Sequence, residues 1–176
     1  MPIYEESGLR ITLPDEHSFR LQDCSSYVNL KGNNLSEMDF GWWDSTNDTL
    51  SLLEIKDYSH LTPLERLPDH LLEKLINKVT DSVMILASVW SGTLQGQNFY
   101  RELPVSCQVF PTHPKKIKVF FIFKISDEIK IKQELTDIRD KLKNKMLGRL
   151  MLFDITNLVL VDHETAIKFM GMIATV

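Results

Sequence analysis

The chain has 176 residues, 43% of them hydrophobic and 25% charged, and a formal net charge of −4. This composition supports one domain over residues 1–176 with a substantial core, and excludes low-complexity and disulfide-stapled classes. No segment is apolar enough to span a bilayer, and the first fifteen residues carry Glu5, Glu6 and Asp15 where a signal peptide has a basic start and an apolar run, so a cytoplasmic protein that binds no membrane is expected.

In chain order, Leu9-Arg10-Ile11-Thr12-Leu13 and Ser18-Phe19-Arg20-Leu21-Gln22 alternate apolar and polar residues around Pro14-Asp15-Glu16-His17, which predicts an N-terminal hairpin over residues 8–23. Residues 27–30 predict a further short strand, ended by Lys31-Gly32-Asn33-Asn34. A second hairpin is predicted from two apolar, aromatic and β-branched runs, residues 36–44 and 49–56, on either side of the turn formers Ser45-Thr46-Asn47-Asp48. If Asp44 and Thr49 close that loop, Asp39 lies directly across from Glu54, and Lys56 joins the same face opposite Glu37. Trp43, Leu50 and Leu52 then cover the turn end of this face, whereas Met38, Phe40, Trp42, Leu53 and Ile55 form an apolar opposite face.

Apolar residues spaced by threes and fours predict an amphipathic helix over residues 68–90, with Lys74, Lys78 and Asp81 on its polar side. Residues 93–103 lack periodicity and read as a loop or lid, followed by a short strand over 105–110. Residues 116–125 are apolar on both faces at their centre and predict an interior strand. A helix over 129–148 buries Leu135, Ile138, Leu142 and Met146 and exposes Lys132, Arg139, Lys141, Lys143, Lys145 and Arg149, which makes it the candidate surface for a nucleic-acid backbone. A strand over 157–161 and an apolar element over 166–176, packed within the chain or against a second copy, complete the order. The fold class expected is α/β, a sandwich with a central mixed sheet flanked by helices.

Like charges directly opposed in a sheet are destabilising unless neutralised, so the Asp39/Glu54 pair calls for a cation. Mg²⁺, with Mn²⁺ as a substitute, binds through one or two carboxylates plus waters and phosphate oxygens and meets that need, with Lys56 adding positive charge.

At Asp39, followed by Glu54-Ile55-Lys56, the sequence resembles the PD-(D/E)XK nuclease superfamily, with Met38 in place of the proline of its name. The resemblance covers residues 36–58 at motif level and reaches to about residue 161 through the order of elements, which would make residues 36–161 the catalytic core. It implies a restriction-endonuclease-like fold and a metal-dependent endonuclease that hydrolyses phosphodiester bonds, of DNA in preference to RNA. The implied catalytic residues are Asp39, Glu54 and Lys56, and the implied metal ligands are Asp39, Glu54 and the Ile55 carbonyl. It also implies that the helix after the Glu-x-Lys strand lies beside the site, where Lys74 or Lys78 would meet phosphate unless both are ordinary surface lysines. No early helix supplies the additional acid that many members carry; Glu37 is either a substitute for it or an ion-pair partner of Lys56.

Charge is uneven along the chain. Residues 1–114 carry eight Lys/Arg against sixteen Asp/Glu, while residues 115–149 carry eleven against five. A local basic segment of this kind can hold phosphate, or it can be a solvated helix face. Specificity in so small a chain would come from a homodimer, a protein partner subunit or a structured substrate. The alternative function is a non-catalytic binding or assembly subunit that uses the acidic surface. Cys24 and Cys107 read as ordinary reduced thiols, and His17, His60, His70, His113 and His163 as surface or structural residues, His60 lying just beyond the candidate site.

Overall fold

A computed structural model describes residues 1–59, 68–111, 117–125 and 128–176, without side-chain detail at residues 31 and 128–134. His60, His113, Lys116 and the Lys132 side chain therefore lie outside the described residues.

Strands β1 (Ile3–Glu6) and β2 (Leu9–Thr12) form an antiparallel hairpin whose turn, Ser7-Gly8, takes two positive φ angles. β3 (Ser18–Phe19) is followed by a single helical turn, α1 (Ser25–Val28). Next come β4 (Phe40–Asp44) and β5 (Thr49–Asp57), then the long helix α2 (Asp69–Trp90) and the short α3 (Leu94–Tyr100). The chain ends with β6 (Ile117–Lys124), α4 (Glu128–Met151), β7 (Asn157–Asp162), α5 (His163–Phe169) and β8 (Ile173–Thr175). Among the described residues, no helix is long and apolar enough to cross a membrane.

Five strands make a mixed sheet in the order β3-β4-β5-β6-β7, antiparallel across the first two junctions and parallel across the last two. The fold is α/β, as expected. The parallel strands require long crossovers, which α2 with α3, and then α4, supply. β6 is interior, with parallel neighbours on both sides, and its run Val119, Phe121, Ile122 and Phe123 is fully buried.

The two faces of this sheet are covered differently. On one, α2 and α4 bury Leu72, Leu75, Val79, Leu86, Leu142 and Met146 against Leu50, Leu52, Val119 and Phe121. On the other, a small sheet of order β1-β2-β8 and helix α5 bury Leu9, Ile11, Ile173 and Ala166 against Phe40, Trp42, Leu53, Ile55 and Ile122. Arg20 ties the layers together, its guanidinium 5.1 Å from the Tyr4 ring centroid and 4.9 Å from that of Phe40.

The N-terminal expectations are corrected. No hairpin forms over residues 8–23, because β2 pairs with β1 and β8 while Ser18–Phe19 pairs with β4. Residues 25–28 form a helical turn rather than a strand beginning at 27, its first two backbone N–H groups and both serine hydroxyls donating to Glu102. Residues 94–100, expected as loop, are helical: the Thr93 hydroxyl accepts from the Gly96 N–H, and Gly96 lets α3 approach α2 so closely that a Cβ would fall 1.9 Å from the Ser88 carbonyl oxygen. Residues 105–107 form a 3-10 turn in place of the expected strand. The C-terminal element packs within the chain, with β8 on β2 and Ile173 buried.

Candidate functional site

The β4–β5 hairpin has the register expected from its loop. Asp44 faces Thr49 and Phe40 faces Leu53. The Asp44 carboxylate builds the turn by accepting from the Thr46 and Asn47 backbone N–H groups at 3.0 and 3.2 Å, and Asp48 takes the left-handed conformation. The side-chain hydrogen bond from Asn47 leads the contacts that hold the Asp44 carboxyl below its ordinary range, against the opposing effect of burial.

One pair beyond Phe40 and Leu53, the backbone ladder gives way to side-chain contacts. The Asp39 N–H donates to Glu54 Oε2 at 3.2 Å, and the Ile55 N–H donates to Asp39 Oδ2 at 2.8 Å. Each acid is thus fixed by the backbone next to the other. Glu54 is fully buried (0% exposed), and Asp39 is largely so.

Two ammonium groups complete a quartet. Lys56 Nζ lies 2.6 Å from Glu54 Oε1 and 3.9 Å from Asp39 Oδ2. Lys78, from α2, has its Nζ 2.7 Å from the same Glu54 oxygen and 3.4 Å from Asp39 Oδ1. Both ammonium groups meet Glu54 Oε1 at ion-pair distance, so one buried oxygen takes both positive contacts. Burial first, and the Asp39 charge second, push the Glu54 carboxyl up to about 7 despite the two lysines. Burial works against the charge of Lys56, but Glu54 and Asp39 outweigh it and hold that ammonium above the ordinary lysine value.

Helix α2 also positions the strand that carries Asp39. Lys78, Asp81 and Ser82 share one helical face by their spacing of three and four. Asp81 accepts from the Ser36 N–H at 2.9 Å, and the buried Ser82 hydroxyl accepts from the Met38 N–H at 2.8 Å. Satisfying these two N–H groups from a rigid helix fixes the approach to Asp39 without extending β4. The segment bends as a result, and Met38 packs with Leu50 and Leu52 on the helical side, not with Phe40 and Trp42 as strict alternation predicts. Glu37 is likewise displaced. Its carboxylate accepts from the Tyr27 hydroxyl rather than standing opposite Lys56, whose ion pairs are with Asp39 and Glu54.

The sequence motif therefore converges at Asp39, Glu54 and Lys56, and of the two lysines in α2 the site takes Lys78, while Lys74 is exposed one turn earlier. The spacing within α2 placed both on its polar side; which one meets the carboxylates depends on where the helix crosses the sheet.

A divalent cation fits this donor set. Two carboxylates from neighbouring chain segments converge on shared cations, and hard divalent ions need only one or two carboxylates besides waters and phosphate oxygens. Asp39 and Glu54 would hold it, with the Ile55 carbonyl as the ligand that the motif's resemblance implies. Among the described residues, no group of three or more His, Cys, Asp and Glu side chains is arranged to hold a metal.

The basic helix is less uniform than its composition suggests. With 3.6 residues per turn, Lys141 and Lys145 fall on one flank of the buried stripe of α4, and Arg139 and Lys143 on the other. The outermost line between them carries Asp137, Asp140, Leu147 and Met151, and Arg139 is bound to Asp140 at 2.9 Å. Compared with known proteins, the chain matches no family model, no curated protein and no solved structure.

Proposed function

We propose that this chain is a metal-dependent endonuclease with a restriction-endonuclease-like core, hydrolysing phosphodiester bonds of nucleic acid, DNA in preference to RNA. The observation that carries the reading is the meeting of Asp39, Glu54 and Lys56 toward the C-terminal end of β5, where a parallel neighbour, β6, follows a helical crossover. An antiparallel hairpin bearing the acids, then a helix beside the site, then a parallel strand, is the arrangement that the motif's resemblance implies. Carboxyl ends of parallel strands are also the usual place for ligands in α/β sheets.

Asp39 and Glu54 would hold Mg²⁺ or Mn²⁺, which when bound would supply Lewis-acid activation of water and stabilise charge on phosphoryl oxygens. Each carboxylate is aimed by a backbone N–H from the opposing segment, so the two carboxylates themselves need little reorganisation. Lys56, one-third exposed, reaches from the buried carboxylates toward solvent, where it orients the nucleophile or offsets charge developing on the phosphate. The split basic flanks of α4 offer phosphate contacts on either side of a central acidic and apolar line, which suits contacts with separate backbone segments better than one continuous groove.

A second reading, a non-catalytic binding or assembly subunit, is favoured by one observation: Lys56 and Lys78 already balance the two carboxylates. Cleavage of plasmid, single-stranded DNA and structured RNA with Mg²⁺ or Mn²⁺ separates the two. The nuclease reading expects metal-dependent cutting by the native chain that Glu54→Gln and Lys56→Ala abolish. Absence of cutting on every substrate, together with unchanged partner binding in Asp39→Asn and Glu54→Gln, would establish the binding subunit instead.

A further inference from the structure

We propose that Lys78 is a built-in cation that occupies the metal position before loading, so that a divalent ion enters only by displacing it; this rests on the metal-site reading above. Lys78 Nζ lies between the two acids, 2.7 Å from Glu54 Oε1 and, at 3.4 Å, nearer to Asp39 than Lys56 Nζ at 3.9 Å, and so fills the space that a cation held by both carboxylates would enter. Lys56 is carried by the same strand as Glu54, two residues further on, and its ammonium is tied to that strand. Lys78 comes from a different element, on a flexible four-carbon stem with 21% of its side chain exposed, and it can swing toward solvent without moving β5.

Charge makes the displacement necessary. With both carboxylates ionised and both ammonium groups in place the quartet is neutral, two positive charges against two negative. A divalent ion added without loss of an ammonium would gather two further positive charges within a few ångströms, in a place that solvent screens poorly. Releasing Lys78 removes one of them and frees the ammonium beside the site, where a phosphate oxygen is its natural next partner. Before loading, the same lysine offsets the repulsion between Asp39 and the buried Glu54.

A lysine with a purely structural role would behave differently on removal. Lys78→Gln would then loosen the site and weaken metal binding, or leave it unchanged. A displaced lysine competes with the metal, so its removal tightens binding.

The test is calorimetric titration of the full chain with Mn²⁺, comparing native protein, Lys78→Gln and Lys78→Arg. The expected result is a Kd about tenfold or more tighter in Lys78→Gln, where one competing charge is gone, and native-like in Lys78→Arg, where the charge is kept. Native binding with unchanged or weaker binding in Lys78→Gln would overturn the displacement while leaving the metal site intact. No Mn²⁺ binding in either protein would overturn both, since removing the competitor uncovers no site. Should Lys78→Gln fail to fold, the ¹⁵N signal of the Lys78 Nζ in native protein gives the answer: loss of its ion-paired shift on Mg²⁺ addition is expected, and an unmoved signal at saturating Mg²⁺ overturns the proposal.

Discussion

The two faces of β5 are equally dry and chemically opposite. Leu53 and Ile55 point into an apolar cluster beneath the small sheet, while Glu54, between them in sequence and just as buried, points to the helical side and meets two lysines. Burial of Leu53 and Ile55 stabilises through removal of apolar surface from water, and any similar hydrocarbon would serve. Burial of Glu54 opposes stability unless every contact of the quartet is kept, and a hydrocarbon of equal size would do as well or better for folding alone. A costly arrangement placed where a cheap one is available one residue away points to chemistry at the Glu54 face and packing at the Ile55 face.

That contrast can be broken most severely at Glu54. Glu54→Ala leaves two ammonium groups facing each other without their shared carboxylate, and should lower unfolding free energy by about 3–5 kcal/mol while abolishing Mn²⁺ binding. Denaturant unfolding and metal titration on the same sample check both halves. On the other face, Leu53→Ala should cost about 2–5 kcal/mol through its cavity yet leave Mn²⁺ affinity within a factor of two. Equal loss of metal binding in both variants would erase the distinction between the faces.

The contrast also has a pH signature. Folded Glu54 keeps its proton up to about pH 7, whereas its ordinary value is 4.5. Between those limits the folded state holds more protons than the unfolded state, so metal-free stability should fall as pH rises from about 4.5 to 7, by roughly 2–3 kcal/mol from this group. Glu54→Gln should flatten that slope, and urea unfolding across the window in both proteins shows whether it does.

Smaller effects are expected away from the quartet. Gly41 sits under the Phe19 ring, and a Cβ there would fall 2.2 Å from Phe19 Cζ, so Gly41→Ala should cost about 1–3 kcal/mol, read as a lower Tm with Mn²⁺ affinity kept. Asp57 at the end of β5 is the mildest case. Burial raises its carboxyl, but the Ser59 hydrogen bonds and Lys124, 3.0 Å away, prevail and lower it to about 2. Its contribution is present above the ordinary value of 3.8 and lost as pH falls through about 2, so Asp57→Asn should remove a small part, under about 1 kcal/mol, of the acid-side loss of stability.

How far the sequence revealed this arrangement depended on the range of the interactions involved. The β4–β5 register was legible because four turn-forming residues fix it locally as far as Phe40 and Leu53, and side-chain to backbone hydrogen bonds then join Asp39 to Glu54 and Ile55. Helix α2 was legible because twenty-two residues give its apolar stripe several repeats. Helix α3 was missed because seven residues do not, although Thr93 in front of it was a capping signal. The N-terminal hairpin was misread for the opposite reason. Alternation in residues 9–13 marks a strand, but its partners are β1 and the far C-terminal β8, and nothing local distinguishes them from the neighbouring run. Glu37 and Met38 escaped because Asp81 and Ser82, more than forty residues on, bend the segment that carries them. Lys78 belongs to the same class: its helix was evident, and its place beside two carboxylates was a property of helix docking.

The proposed nuclease activity requires the Asp39 and Glu54 carboxylates to hold a metal ion, and crystals grown without divalent ions and then soaked in Mn²⁺ examine that directly. An anomalous difference peak shared by the two carboxylates, with Lys78 Nζ withdrawn from Glu54, is the result expected. Crystals that show the quartet intact and no peak there at saturating Mn²⁺ would contradict the metal site and leave Glu54 as the centre of a structural ion-pair network.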